Sequence, residues 1–402
     1  MQLNSDILKK VQFLSGDIEN VSRMLETPAK CPFDDEMTAF LNEVSRLIMS
    51  NPVSKGFPDV VTFGFWLRKG SIENLRKKYL ADDGVFRIGK GIVFHIAPSN
   101  VPVNFAYSLV SGLLNGNMNI VRVPSKDFDQ VRLISDAINK ALDGFEGLKP
   151  FVNLVRYDRD KEINDLFSSI CDMRVIWGGD ETISEIRRSP LPPRSGEVTF
   201  ADRYSLAVID SDAYLAFDDK TRIALDFYND TYLTDQNACT SPRIVVWMGD
   251  SVDKARDCFW KEEHGIVGEK YDLKAVQAVN KLTSTYLSAV YVPGCKVVSG
   301  DDNLIVRIEV PKAEACLMDH RDNSGFFFEY VCNDIMEIRD LADDKHCQTV
   351  SYIGDKEMIT PLIASGVKGI DRIVPIGKTM DFDLMWDGYD LTRILTRAVK
   401  VG

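Results

Sequence analysis

Apolar residues fall into two alternating rhythms along this chain. Between Asp35 and Met49, the residues Met37, Phe40, Leu41, Val44, Leu47 and Ile48 recur at helical spacing. Val60 to Leu80 repeats that rhythm with Phe63, Trp66, Leu67, Leu75 and Leu80, and predicts a second helix. The stretch from Asn51 to Pro58 between them carries two prolines and a glycine, which predicts a loop. From Gly89 the rhythm changes. Gly91 to Ala97 and Met118 to Val123 are short, nearly continuous apolar runs of strand length. Val103 to Leu114 between them is helical in spacing and stops at Asn115-Gly116. Pro124-Ser125 is expected to open the next helix, with Phe128, Val131, Ile134, Ile138 and Leu142 on one face and Ser125 as its N-cap.

Phe151 to Arg156, Met173 to Trp177 and Ser205 to Ile209 continue the series of strands, with helical segments between most of them. Apolar strands that alternate with helices predict a parallel sheet covered on both faces. After Asp210 the alternation restarts, with a helix from Asp212 to Tyr228, a polar loop from Thr234 to Pro242 and a strand from Arg243 to Met248. The expected organisation has four parts. Residues 1–88 form a helical segment, 89–210 a cofactor-binding domain, 211–375 a catalytic domain, and 376–402 a segment that returns to the cofactor domain or an oligomer interface. No internal repeat or low-complexity segment interrupts this series.

Composition narrows the class. The 402 residues are 45% hydrophobic, enough for a sizeable core without disulfides. Asp and Glu number 60 against 48 Lys and Arg, a formal net charge of -12, which argues against binding a nucleic-acid backbone. No basic start followed by an apolar stretch marks a secretory leader. No run approaches the roughly 18 apolar residues of a membrane span. The eight cysteines are scattered and form no CxxC pair. This predicts reduced thiols in a cytoplasm. No metal site is expected, although Cys316 and His320 lie four apart. His95, inside a strand, is expected to be a hydrogen-bonded core histidine.

Four segments could carry chemistry. Ala97-Pro98-Ser99-Asn100-Val101-Pro102 ends a strand, where parallel sheets bind ligands, and its prolines restrict the loop that aims Asn100. That amide could donate to a developing oxyanion or simply complete a turn. Arg122-Val-Pro-Ser125-Lys126 is a second strand-to-helix turn, whose charges could reach a ribose or phosphate or remain solvated. Trp177-Gly178-Gly179 is a third, where glycines permit close approach; a GxGxxG fingerprint is absent. The fourth is Thr234-Asp-Gln-Asn-Ala-Cys239-Thr-Ser-Pro242. Cys239 sits in a polar loop, whereas Cys171, Cys258 and Cys332 fall in expected helices among apolar neighbours. Reactivity needs access and a stabilised thiolate, so Cys239 is the best nucleophile among the eight.

Taken in order, these segments resemble the aldehyde dehydrogenase superfamily, and more narrowly the fatty acyl-CoA reductases of bacterial bioluminescence. The match extends from about Phe86 to the C-terminus and includes Gln348-Thr-Val-Ser351 and Trp386-Asp-Gly-Tyr-Asp390. The resemblance implies an α/β fold with a parallel-sheet cofactor domain, an α/β catalytic domain and a cleft between them. It implies Cys239 as a nucleophile acylated by a coenzyme A thioester, with Asn100 and the Cys239 N–H as oxyanion donors. It places the cofactor, NADPH or alternatively NADH, on Ala97, Pro98, Ser99, Arg122, Ser125, Trp177, Gly178, Gly179 and Glu329. It further implies a homo-oligomer and an acyl-protein synthetase as partner. Common aldehyde dehydrogenases carry a water-activating Glu ahead of the nucleophile. Phe200 to Ser205 has none, which favours thioester reduction over aldehyde oxidation. Two other readings stay open: a CoA-acylating aldehyde dehydrogenase working oxidatively, and a catalytically silent acyl carrier that scaffolds a synthetase.

Overall fold

The computed structural model describes residues 4–80, 84–99 and 101–400. The chain divides into two compact units, Met1–Ala201 with Phe382–Gly402, and Asp202–Asp381.

In the first unit the helix Asp35–Ser50 buries Met37, Phe40, Leu41, Val44 and Ile48, and Asp34 caps it by accepting from the Met37 N–H at 3.2 Å. The long helix expected from Val60 to Leu80 is instead two, Pro58–Trp66 and Lys69–Tyr79. Arg68 is extended between them, and Asn42 accepts from the Lys69 N–H at 3.1 Å to start the second. Continuous apolar spacing does not reveal such a break, and Leu67 at the break is itself buried.

Among the described residues, seven strands belong to this half of the chain: β1 (Gln12–Ser15), β2 (Val85–Gly89), β3 (Ile92–Ile96), β4 (Met118–Arg122), β5 (Val152–Arg156), β6 (Met173–Trp177) and β7 (Gly196–Phe200). Six form one sheet in the order β1-β5-β4-β3-β6-β7, parallel except for β1. β3 is buried along its whole length, as its unbroken apolar run requires. The helix Asn104–Leu114 then packs so closely on β4 that a Cβ at Gly112 would lie 1.8 Å from Asn119 Oδ1. The next helix is Asp129–Leu142, and its N-cap is Phe128, not Ser125 as expected. Pairing with β5 continues to the Val123 N–H, and Arg156 binds the Pro124 carbonyl at 3.2 Å, which carries the chain past Ser125 before it can turn helical.

The second unit holds β8 (Tyr204–Asp210), β9 (Pro242–Met248), β10 (Lys296–Ser299), β11 (Val306–Glu309), β12 (Phe326–Val331), β13 (Cys347–Ile353) and β14 (Arg372–Pro375). Their order is β10-β11-β12-β9-β8-β13-β14, parallel except for β10. β8 pairs with both β9 and β13. The division expected at 210 therefore moves to 201, since a strand's own sequence does not say which sheet it joins. Alternate residues feed two cores, Leu206, Val208, Ile244 and Phe328 on one face, Ile209, Val245, Trp247 and Phe327 on the other. The helix expected from Asp212 to Tyr228 is again two, Ser211–Ala216 and Lys220–Asp230, because Asp219 accepts from the Arg222 N–H and caps a fresh start. The last strands are β15 (Met385–Trp386), β16 (Tyr389–Asp390) and β17 (Thr396–Lys400). β17 pairs antiparallel with β2, which ties the C-terminal segment into the first unit.

Candidate active site

The loop before β9 is built by its own polar residues. Asp235 and Gln236 are both left-handed, at φ 51° and 59°, a conformation that ordinary side chains adopt only when the surroundings enforce it. The enforcing group is the buried amide of Gln236. Its Nε2 donates to the Pro242 carbonyl at 2.9 Å and the Phe326 carbonyl at 3.1 Å. Its Oε1 accepts from the N–H groups of Gly325 and Phe326. Ser324 N–H donates to the Asp235 carbonyl, and Asn323 Nδ2 donates to Asn237 Oδ1 at 2.8 Å. The segment 322–326 thus grips the loop along its length.

Cys239 lies two residues beyond Asn237 and is half-buried. Ser205 Oγ, at the start of β8, donates to its carbonyl at 2.8 Å. Gln348, from β13, donates its side-chain N–H toward Cys239 Sγ at 3.5 Å. A neutral donor aimed at sulfur favours the thiolate over the thiol. Three of the other thiols differ. Burial pushes Cys171, Cys332 and Cys347 up to about 12, and each stays protonated at neutral pH. Cys171 follows the helix Lys161–Ile170 and Cys332 follows β12, so neither lies inside a helix, contrary to expectation; Cys258 does, in Val252–Lys270. Gln236 and Ser205 were not singled out from sequence. The available signal was polar residues at the margins of apolar strands, which also describes many surface positions.

In the first unit, the expected cofactor residues gather at the carboxyl ends of three adjacent parallel strands. Ala97, Pro98 and Ser99 follow β3, Arg122 ends β4 with Ser125 three residues on, and Gly178 and Gly179 follow β6. A Cβ at Gly179 would meet open space, and Ser99, Ser125 and Gly179 are exposed. The Arg122 guanidinium lies over the Tyr157 ring at 4.6 Å and donates to the Tyr157 carbonyl. Trp177 is turned inward, stacked on Phe200 at 3.7 Å, so its backbone rather than its indole can border a ligand.

Below this edge, Trp177 Nε1 donates to Ser108 Oγ at 2.9 Å, Ser108 donates to His95 Nδ1, and His95 Nε2 donates to Asn119 Oδ1 at 2.9 Å. Burial pushes His95 down to about 4, so it is neutral and hydrogen-bonded at both nitrogens, as expected for a core histidine. Asn100 lies outside the described residues. Glu329, in the second unit, is 2% exposed; Trp247, Trp260 and Arg307 all donate to its carboxylate.

Among the described residues, no group of three His, Cys, Asp or Glu side chains gathers as for a metal, and no helix is long and apolar enough to cross a membrane.

A parallel-sheet unit with open turns at its strand ends, followed by a second α/β unit that carries a loop-borne cysteine, is the fold of the aldehyde dehydrogenases. Solved structures agree on the fold. A 1-pyrroline-5-carboxylate dehydrogenase from Thermus with bound NAD matches with a TM-score of 0.65 and 13% identity, covering 96% of this chain and 84% of that one. Lactaldehyde dehydrogenase from Escherichia coli matches at 0.61 and 14%, covering 95% and 88%. Residues 73–258 match the model of the acyl-CoA reductase (LuxC) family. The long-chain acyl-protein thioester reductase of Aliivibrio fischeri is 24% identical over 298 residues, 72% of this chain. That of Vibrio harveyi is 23% identical over 321 residues, 77% of this chain. The chain spans 58% and 63% of the lengths of these two relatives.

Proposed function

We propose that this protein is an oxidoreductase that reduces an acyl thioester, on coenzyme A or on a protein, to an aldehyde through an acyl group carried on Cys239. The observation that carries the reading is the setting of Cys239, an accessible thiol on a loop stapled by Gln236, with the Gln348 amide directed at its sulfur. The Cys239 thiolate attacks the thioester carbonyl, and the coenzyme or carrier thiol leaves. Asn100 and the Cys239 N–H are the oxyanion donors that the family resemblance suggests; each such donor is typically worth about 3 kcal/mol. When the acyl group later departs as aldehyde, the Cys239 sulfur returns to thiolate, which the Gln348 donor steadies.

A nicotinamide cofactor fits the first unit. Open turns after β3, β4 and β6 present Ala97, Pro98, Ser99, Arg122, Ser125, Gly178 and Gly179 on one edge. When bound, the reduced cofactor supplies the hydride. Arg122 favours NADPH over NADH, since a guanidinium can answer an added phosphate. The three donors to Glu329 favour a structural role for that residue. The names of the relatives support a long acyl chain on a partner protein as donor. A synthetase that loads it, a homo-oligomeric assembly and a cytoplasmic setting complete the proposal.

Incubation with a long-chain acyl-CoA, without cofactor, is expected to add one acyl group to the peptide containing Cys239 by mass spectrometry. NADPH should then discharge it as aldehyde. Cys239→Ala should do neither and still bind cofactor. Asn100→Ala is expected to slow acylation about 100-fold and leave cofactor binding unchanged. An acyl group on another cysteine, or full turnover by Cys239→Ala, overturns the mechanism. Acylation that NADPH cannot discharge turns the protein into an acyl carrier.

A further inference from the structure

The helix Ala275–Tyr291 in the second unit turns a polar face inward and an apolar face to water. Its buried residues are Lys281 and Ser288. Lys281, the one charged side chain of the helix, donates from Nζ to the carbonyls of Asn303, Leu304 and Ser324 at 2.7, 2.9 and 2.8 Å. Ser284 Oγ donates to the Asp322 carboxylate at 2.7 Å, and Asn303 Nδ2 donates to the Ala278 carbonyl at 3.2 Å. Rolling the helix to bury its apolar side would break these bonds and strand the buried groups. Val276, Val279, Leu282, Tyr286, Leu287 and Val290 are therefore held 45–72% exposed. A surface helix ordinarily buries such residues and shows water its polar ones.

Val276, Val279, Thr283, Tyr286 and Val290 follow the three-then-four spacing of a coiled-coil seam, and Leu282 and Leu287 flank it. Thr283 Oγ1 donates to the Val279 carbonyl at 2.9 Å, so burying this residue leaves no hydroxyl unpaired. These side chains leave on the order of 600 Å² of apolar surface in water. That is the top of the ~300–600 Å² range for the largest patch on a monomer, and most of the ~800 Å² that each partner gives to a standard interface. We propose that this face joins two copies of the chain through an antiparallel, two-fold pairing of the helix Ala275–Tyr291 with its counterpart. The proposal rests on the homo-oligomeric part of the function proposed above and is independent of the thioester chemistry. The seam suits its own copy. It is centred on Thr283, so Val276 meets Val290 of the partner subunit, and it carries no charge to repel itself. A lipid surface fits less well, because helices that lie on membranes set Lys and Arg beside their apolar face, and the lysine here is directed inward.

Sedimentation velocity of the full chain over a series of concentrations is expected to show a dimer or an even multiple of it. Val276→Lys/Val290→Lys sets lysine against lysine across the two-fold axis. Both positions are exposed, at 65% and 72%, so the thermal transition should stay near wild type. The particle mass should halve at matched concentration, with Kd raised at least about 100-fold. Val276→Glu/Val290→Glu should behave the same way. Mixing the Lys and Glu variants should restore a heterodimer, seen by native mass spectrometry, because opposite charges then meet. A folded Lys variant that associates as tightly as wild type overturns the proposal and leaves a homo-oligomer built on another surface. Variants that stay apart on mixing overturn the antiparallel pairing. A monomeric wild type overturns the proposal and the homo-oligomeric reading together. Flotation of that monomer with phosphatidylcholine vesicles, lost in the Lys variant, would assign the face to lipid instead.

Discussion

At the scale of single residues, the sulfur of Cys239 is shaped by groups far away in sequence. Gln348, 109 positions on, supplies a donor to it. Gln348→Leu keeps the volume and removes that donor, and acylation is expected to slow about tenfold, or about 1.4 kcal/mol of barrier, measured by single-turnover acyl transfer. Asp230 presents a different problem. It is buried and accepts from the Gly377 and Thr379 N–H groups, yet burial still pushes its carboxyl up to about 7. The folded state therefore holds a proton that the unfolded chain releases near pH 4. Its stabilising effect is present below pH 4 and is lost as pH rises to 7. Asp230→Asn mimics the protonated form. Its thermal midpoint should exceed that of wild type most at pH 7 and above, with the gap narrowing toward pH 5. A gap that widens on acidification would contradict this assignment.

At the scale of elements, the segment 322–326 is braced on both sides. The helix Ala275–Tyr291 reaches it through Lys281, whose buried ammonium donates to the carbonyls of Asn303, Leu304 and Ser324, and through Ser284 to Asp322. On the other side it holds Asp235, Gln236 and Asn237. Gln236→Ala removes four hydrogen bonds and leaves buried backbone groups unpaired. It is expected to destabilise the second unit by about 3 kcal/mol in urea unfolding and to slow alkylation of Cys239. Lys281→Met keeps most of the volume but strands buried carbonyls, and a loss of about 2 kcal/mol is expected in the same measurement. A neutral outcome for Lys281→Met would mean that water replaces the ammonium. The two helix breaks, at Arg68 and near Asp219, belong to this scale too. Each depends on a cap, supplied locally by Asp219 but by Asn42 from another helix in the case of Lys69. Periodicity alone reads straight through both.

At the scale of the whole molecule, the C-terminal segment closes the first unit. β17 pairs with β2 over Thr396 to Lys400, Leu391 and Leu395 are buried, and Asn117 Nδ2 donates to the Leu395 carbonyl. Removing residues 391–402 is expected to cost more than about 4 kcal/mol, from two buried leucines and an unpaired strand. Thermal unfolding and limited trypsin digestion would show it, and an unchanged transition would refute it.

The chain alone determined the alternation of apolar strands and helices, and with it the class of fold, because burial on both faces leaves the same signature wherever a parallel strand sits. It also offered Cys239 as the candidate nucleophile, since a polar loop differs from apolar surroundings in the local sequence. Tertiary structure decided what no local pattern holds. β8 joins the second sheet because β9 and β13 flank it, and Ser125 is no cap because Arg156 and Val155 hold the strand beyond its apolar run. Gln348, Ser205 and Asn323 reach the cysteine loop because three separate segments fold onto it, and a contact between distant residues is fixed by topology rather than by composition or spacing.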